Sequence, residues 1–236
     1  MLSSSGSTHD DAIAIVPARA GSKGIPNKNL LQVGGMSLVA RAIAVAKQVR
    51  GVAEVVVSTD GEAIAEEARR CGAAVHWRPH DLATDDALVI DAVRHLRDER
   101  HGMGTPIRYG ALLEPTTPLR TAEDVDRCLD AVRDGADSAA TFTEAALHPY
   151  RAFVLEDTRI VPFIEGAVAW MPRQALHPPA YQLSGSAYAF HLQRLPPEGV
   201  SLLFGNAAPI VIPRERSVDI DDEVDVLVVE TLLDGR

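Results

Sequence analysis

Residues 12–30 read AIAIVPARAGSKGIPNKNL, an apolar run that breaks into a short basic loop. The run Ile13-Ala14-Ile15-Val16 has the composition of a parallel strand buried on both faces. The loop holds Arg19, Gly21, Ser22, Lys23, Gly24, Pro26, Lys28 and Asn29. Glycines let the backbone approach an anion, loop N–H groups donate to phosphate oxygens, and Arg and Lys offset the charge. The plainer alternative is a solvated connection that happens to be basic. Cations, glycines and a proline packed directly behind a first strand favour a polyphosphate cradle. After Gly34-Gly35, the amphipathic stretch Ser37–Val49 reads as a helix with Ser37 as its N-cap.

Outward from this unit the pattern repeats. Gly51–Ser58 reads as a second strand ending in Thr59-Asp60-Gly61, followed by a helix to Arg70 with Gly72 at its C-terminus. Ala73–Trp77 is a third strand; Asp85 or Asp86 is expected to cap a helix through about Arg97. Ile107–Leu113 and Ser138–Phe142 are the fourth and fifth strands, separated by a helix that Thr121 and Asp124 open as a capping box. Strands alternating with helices predict an α/β fold, a mostly parallel Rossmann-like sheet with helices on both faces. Ligands in such sheets bind at the carboxyl ends of the strands, where Arg19, Lys23, Asp60, Arg78 and Glu114 would collect.

From His148 to about Ala180 the sequence turns Pro-rich and irregular, an excursion expected to form a protruding arm. Strand-like sequence resumes at Tyr181–His191 and Ala208–Ile212, and Asp222–Leu233 reads as a last helix. The expected organisation is a disordered tail over residues 1–11 and one domain over residues 12–236.

The chain has 236 residues, 46% of them apolar, and a net charge of -10, which disfavours a nucleic-acid surface. No apolar run reaches transmembrane length, and the opening MLSSSGSTHDD lacks the pattern of a signal peptide. With only Cys71 and Cys128, a reduced cytoplasmic setting is expected, with no membrane partner. Asp219 and Asp221 stand two apart before the last helix, so an extended backbone would turn both the same way. Two hard oxygen ligands suit Mg²⁺ or Mn²⁺ shared with substrate phosphates. The other reading is an acidic helix N-terminus, which Asp222, Glu223 and Asp225 fit better.

The loop lacks both the Walker A order and the G-x-G-x-x-G of a dinucleotide fold. Ala18-Arg19, Ser22-Lys23-Gly24 and Pro26-Asn27-Lys28-Asn29 together resemble the signature of the cytidylyltransferases that make CMP-sialic acid and related conjugates. Further segments extend the resemblance: Ser58-Thr59-Asp60, Trp77-Arg78-Pro79 with Leu82–Asp85 and Ala87, Leu113-Glu114-Pro115-Thr116-Thr117-Pro118-Leu119-Arg120, and Ser217-Val218-Asp219-Ile220-Asp221. The resemblance implies a nucleotidyltransferase (GT-A-like) sheet, attack of an acceptor oxygen on the α-phosphorus of CTP, and release of pyrophosphate. It implies Arg19 and Lys23 on the departing phosphates and Lys28 on the α-phosphate. Ala18, Gly21, Ser22, Gly24, Asn29, Arg78 and Ala87 would contact the nucleotide, and Asp219 and Asp221 would hold the metal. Glu114, Thr116, Gln182, Tyr188 and Phe204 fall on the acceptor side, and Glu114 is a possible extra metal ligand. The family's arm also implies a homodimer, with Tyr150, Phe153, Phe163, Trp170 and Met171 as interface residues.

Two positions depart from the sialate pattern. Glu114 stands where the family has Gln, and Gln182-Leu183-Ser184-Gly185 replaces an Arg-Pro-Asn-Gly run whose Arg meets the acceptor. Gln cannot replace the charge of an Arg fork on a carboxylate. A small anionic acceptor such as phosphonoformate is therefore the expectation, with a nonulosonic acid as the alternative. Arg120, Arg151 and Arg173 are the cations expected to meet it. The rival classes are a nucleotidyltransferase of other base specificity, disfavoured by the absence of a Gly-Gly-x-Gly-x-Arg loop, and a nucleotide-binding regulator without catalysis.

Overall fold

A computed structural model describes residues 11–21, 24–104 and 107–235. The expected tail over residues 1–11 thus lies almost wholly outside the described residues, as do Ser22 and Lys23 of the basic loop. A seven-stranded sheet carries the fold. Its strands are β1 (Ala12–Pro17), β4 (Val52–Thr59), β5 (Ala74–Trp77), β6 (Tyr109–Leu112), β7 (Ser138–Glu144), β10 (Tyr181–His191) and β11 (Ala207–Val211). Their order is β11-β7-β10-β6-β1-β4-β5, and only β10 runs antiparallel to its neighbours. Short strands β2 (Gln32–Val33) and β3 (Met36–Ser37) pair beside the first helix, and β8 (Phe153–Glu156) with β9 (Arg159–Pro162) forms a separate hairpin.

Strand β1 shows why both faces are covered. Ala12, Ala14 and Val16 point to one side and Ile13 and Ile15 to the other, following the two-residue period of a strand. The small-residue face packs on α1 (Leu38–Ala46), α2 (Glu62–Arg70) and α4 (Ala122–Arg133) through Val39, Ile43, Ile64, Val125 and Leu129. The isoleucine face packs on α3 (Val89–Gly102) through Ile90, Val93 and Leu96, and on Phe190 of β10. The last helix, α5 (Glu223–Asp234), seals a smaller cluster of Val33, Leu38, Leu119, Ile220 and Val229.

The helix starts follow the sequence closely. Ser37 Oγ accepts from the Ala40 N–H, and Thr121 with Asp124 closes a reciprocal capping box. Asp222 and Asp225 form a second such box at the head of α5, so these two acids serve the helix terminus as expected. The third helix is the exception. It begins at Val89, not at Asp85 or Asp86, because the Asp85 carboxylate is taken up by an ion pair with Arg19 at 2.8 Å. Residues 84–88 stay out of the helix, and Thr84 and Asp85 bond to Arg19 of the basic loop. No helix among the described residues is long and apolar enough to cross a membrane.

Candidate active site

The carboxyl ends of β1, β4, β5 and β6 open into a cleft of about 490 Å³, lined by Arg19, Gly21, Gly24, Lys28, Asn29, Arg78, Ala87, Glu114, Thr116 and Asp221 among others. Its floor is the basic loop, which is held from three sides. The Ala20 N–H donates to Asp60 Oδ1 at 2.8 Å, tying the loop to the end of β4. Asn29 Nδ2 donates to the Arg19 carbonyl oxygen at 2.9 Å and braces the loop across itself. Arg19 Nη1 reaches the Thr84 carbonyl at 2.9 Å, joining the loop to residues 84–87. Ala18 is buried, its N–H spent on the Ser58 carbonyl, so it supports the loop and does not line the cleft.

Arg78 forms another wall of the cleft. Its Nε donates to Ser58 Oγ at 3.0 Å and its backbone N–H to the Thr59 carbonyl at 2.9 Å. Burial drives its pKa down to about 10, resisted by Asp60 and helped by Arg19. Arg78 Nη2 is buried with no hydrogen-bond partner among the described residues. A buried donor without an acceptor costs free energy, and a ligand atom in the cleft would relieve it.

Opposite lies an acidic corner. The Ile220 N–H donates to the Thr116 carbonyl at 2.8 Å, docking the 219–221 segment on the exit of β6. Lys28 Nζ donates to the Ile220 carbonyl at 2.8 Å and to Asp221 Oδ1 at 3.1 Å. Glu114 is pushed up to about 7, chiefly by burial and then by Asp219, against the pull of Arg120 and Lys28. Asp219 is raised too, again by burial, with a hydrogen bond from Thr116 lowering it. Burial and mutual repulsion thus disfavour the charge of Glu114 and Asp219, while Asp221 is paired with Lys28. Hard oxygen donors held against burial suit a divalent cation such as Mg²⁺. They are not gathered as a finished coordination shell: Asp221 turns to Lys28 and is largely exposed, and Asp219 opens toward a neighbouring cavity.

That cavity, about 520 Å³, is lined by Thr143, Gln182, Arg214, Ser217 and Asp219 among others. Gln182 Oε1 accepts from the Ala146 N–H at 2.9 Å, which anchors it to the start of the arm. Arg214, in a short 3₁₀ turn, is the cation of this wall, and sequence reasoning missed it because a crossover between distant segments brings it there. The cations expected to meet the acceptor stand elsewhere. Arg120 is fully buried and holds the Ser186 and Glu114 carbonyls and the Thr117 hydroxyl. Arg151 donates to the Met171 carbonyl, and Arg173 pairs with Glu144 at 2.9 Å.

One acceptor-side residue is displaced from the cleft. Phe204 packs against the isoleucine face of the core, its backbone bonded to Ser138 at the start of β7, the edge opposite the cleft. Tyr188 lies half-buried on β10 opposite Leu112, at the carboxyl end of β6 and near Glu114 and Asp219, and burial with the charge of Glu114 raises its phenol to about 12. His76, on β5, is 3% exposed, with Nδ1 2.9 Å from Ser58 Oγ.

A doubly covered, mostly parallel sheet with a basic loop and a carboxylate corner at its carboxyl edge defines a nucleotidyltransferase of the α/β class. A cytidylyltransferase family model matches residues 13–158, and the chain belongs to that family. It is a CTP-dependent nucleotidyltransferase. Among curated relatives, a CMP-N,N'-diacetyllegionaminic acid synthase of Legionella pneumophila is 30% identical over 226 residues, spanning 94% of this chain and 96% of the relative. The post-translational flagellin modification protein B of Campylobacter coli is 28% identical over 230 residues, spanning 94% and 95%. An N-acylneuraminate cytidylyltransferase of Escherichia coli O18:K1:H7 is 38% identical over 121 residues, 51% of this chain and 27% of the relative. The fold matches a CMP:2-keto-3-deoxy-manno-octonic acid synthetase complexed with CTP at a TM-score of 0.70 and 20% identity, covering 95% and 98% of the two chains.

Proposed function

We propose that this enzyme transfers CMP from CTP to a nonulosonic acid of the legionaminic type, forming a CMP-sugar and releasing pyrophosphate. The observation that carries the reading is the likeness to the legionaminate relative over 226 residues, 94% of this chain and 96% of the relative. This replaces the expected small phosphonate, because the chain follows relatives named as a CMP-N,N'-diacetyllegionaminic acid synthase and an N-acylneuraminate cytidylyltransferase.

In this reading Arg19 and Lys28 grip the triphosphate, Arg78 meets the nucleoside with its unpaired Nη2, and Asn29 fixes the loop. A divalent cation held by Asp219 and Asp221, with Glu114 adjoining, would draw charge off the phosphate oxygens. The acceptor would enter from the cavity beside Asp219, where Gln182 and Thr143 offer hydrogen bonds and Arg214 offers a cation for the sugar carboxylate. The arm would close this side in a homodimer. Its Phe163 and Trp170 are 70% and 88% exposed, an arrangement suited to an interface core.

Pyrophosphate release with CTP, Mg²⁺ and a panel of acceptors tests the reading. Legionaminic-type acids should turn over, and Arg214→Ala should raise the acceptor KM about tenfold or more with the CTP KM unchanged. Turnover of phosphonoformate with none of any nonulosonic acid would sink it.

A further inference from the structure

Behind Arg78, on the face of the sheet covered by α3, three metal-type donors converge. His76 Nε2 lies 2.8 Å from His95 Nδ1 and 3.5 Å from Glu99 Oε2. His95 and Glu99 are four apart on α3 and so share one helix face, while His76 comes from β5 at the sheet edge. Their donor atoms all fall within 4.8 Å of one another. Among the described residues this is the single group of three or more such side chains that meets that spacing.

The spacing has a direct chemical meaning. Ligands about 2.0–2.1 Å from a tetrahedral centre stand about 3.3 Å apart, between the two separations to His76 Nε2. Two partners also converge on a single ring nitrogen, which carries at most one proton and can satisfy only one of them by hydrogen bonding. Two imidazoles and a carboxylate form a borderline donor set that favours Zn²⁺, Co²⁺ or Ni²⁺ over Mg²⁺. Glu99 is exposed, which leaves an entry path and a fourth position for water. Arg100, the nearest competing cation on α3, is engaged by Glu54 at 2.8 Å.

We propose that His76, His95 and Glu99 form a site for a zinc-type dication, linked to the nucleotide cleft through Ser58 and Arg78. A metal on His76 Nε2 leaves the ring proton on Nδ1, where it donates to Ser58 Oγ. That same oxygen accepts from Arg78 Nε. The site therefore has an orienting partner of the usual kind, and the partner is the residue that positions the cleft guanidinium.

The test is a Co²⁺ titration of the full chain after chelator treatment. The wild type should bind one equivalent with the intense visible absorption of a tetrahedral, nitrogen-ligated ion, and Zn²⁺ should bleach it. The oxygen-only carboxylate corner of the cleft would give the weak spectrum of an octahedral ion. His95→Gln with Glu99→Gln, both at the solvent side of α3, should lose the intense band while melting as a folded protein. Glu99→Gln alone should weaken Co²⁺ binding about tenfold or more. Zn²⁺ should raise the melting temperature of the wild type and not of the double variant. Absence of the intense band in the wild type, or its persistence in the double variant, overturns the proposal.

Discussion

Lys28 and Ile220, 192 positions apart in the chain, are joined by a 2.8 Å hydrogen bond from the ammonium to the carbonyl oxygen. The bond locks the floor of the cleft to the acidic segment that precedes the last helix. Lys28→Met should keep the fold and lower kcat by about two to three orders of magnitude, the usual effect of removing one preorganised charged donor. Pyrophosphate release at saturating CTP measures it. A change confined to KM would assign Lys28 to ground-state binding alone.

Gly24 provides the second contact between the same two segments. A methyl group there would sit 2.7 Å from the Asp221 backbone oxygen, closer than real Cβ atoms come. Gly24→Ala should push the loop off the 219–221 segment, and a shift of about 1 Å at a reacting centre costs about a hundredfold in rate. The melting temperature should move little, since the contact lies at the cleft rim. Wild-type turnover in the alanine variant would show that loop and segment move independently.

Chelation addresses the carboxylate corner. EDTA should abolish activity and Mg²⁺ or Mn²⁺ should restore it, with Asp221→Asn raising the metal concentration needed for half-maximal rate. The variant would also free Lys28 from its ion pair, so the CTP KM should be followed in the same titration. Full activity in EDTA would remove the divalent cation from the mechanism.

The arm offers a separate test. Phe163→Ser with Trp170→Ser leaves the central sheet untouched, because both side chains project from the excursion. The wild type should scatter light as a dimer at micromolar concentration and the double variant as a monomer. A monomeric wild type would leave the exposed aromatics without that role.

The sheet was legible because its strands are short apolar runs with turn residues between them, and Tyr181–His191 matches the sequence-based expectation at both ends. Capping chemistry was equally readable at Ser37 and Thr121, where the hydroxyl and its target lie within three residues. Long-range chemistry was not. Asp85 looks like a helix cap until its partner Arg19 is known, 66 residues before it, and their ion pair moves the start of α3 to Val89. Arg120 reads as an acceptor contact, yet its charge is spent inside the protein on backbone carbonyls. Phe204 carries no local sign of which edge of the sheet it joins; the bonds to Ser138 decide that. His76 looks like any strand histidine, since its partners come from Ser58 and from α3.

The position of β10 carries a consequence for how such enzymes diversify. The arm leaves from the end of β7 and returns at the start of β10, and these two strands are adjacent and antiparallel in the sheet. Each strand is held in register by a further neighbour, β11 on one side and β6 on the other. The whole excursion is therefore a closed detour between two fixed posts, and its length and composition can be rewritten without shifting any strand of the sheet. Residues 145–180 can therefore be exchanged as a cassette between β7 and β10 with the sheet itself unchanged.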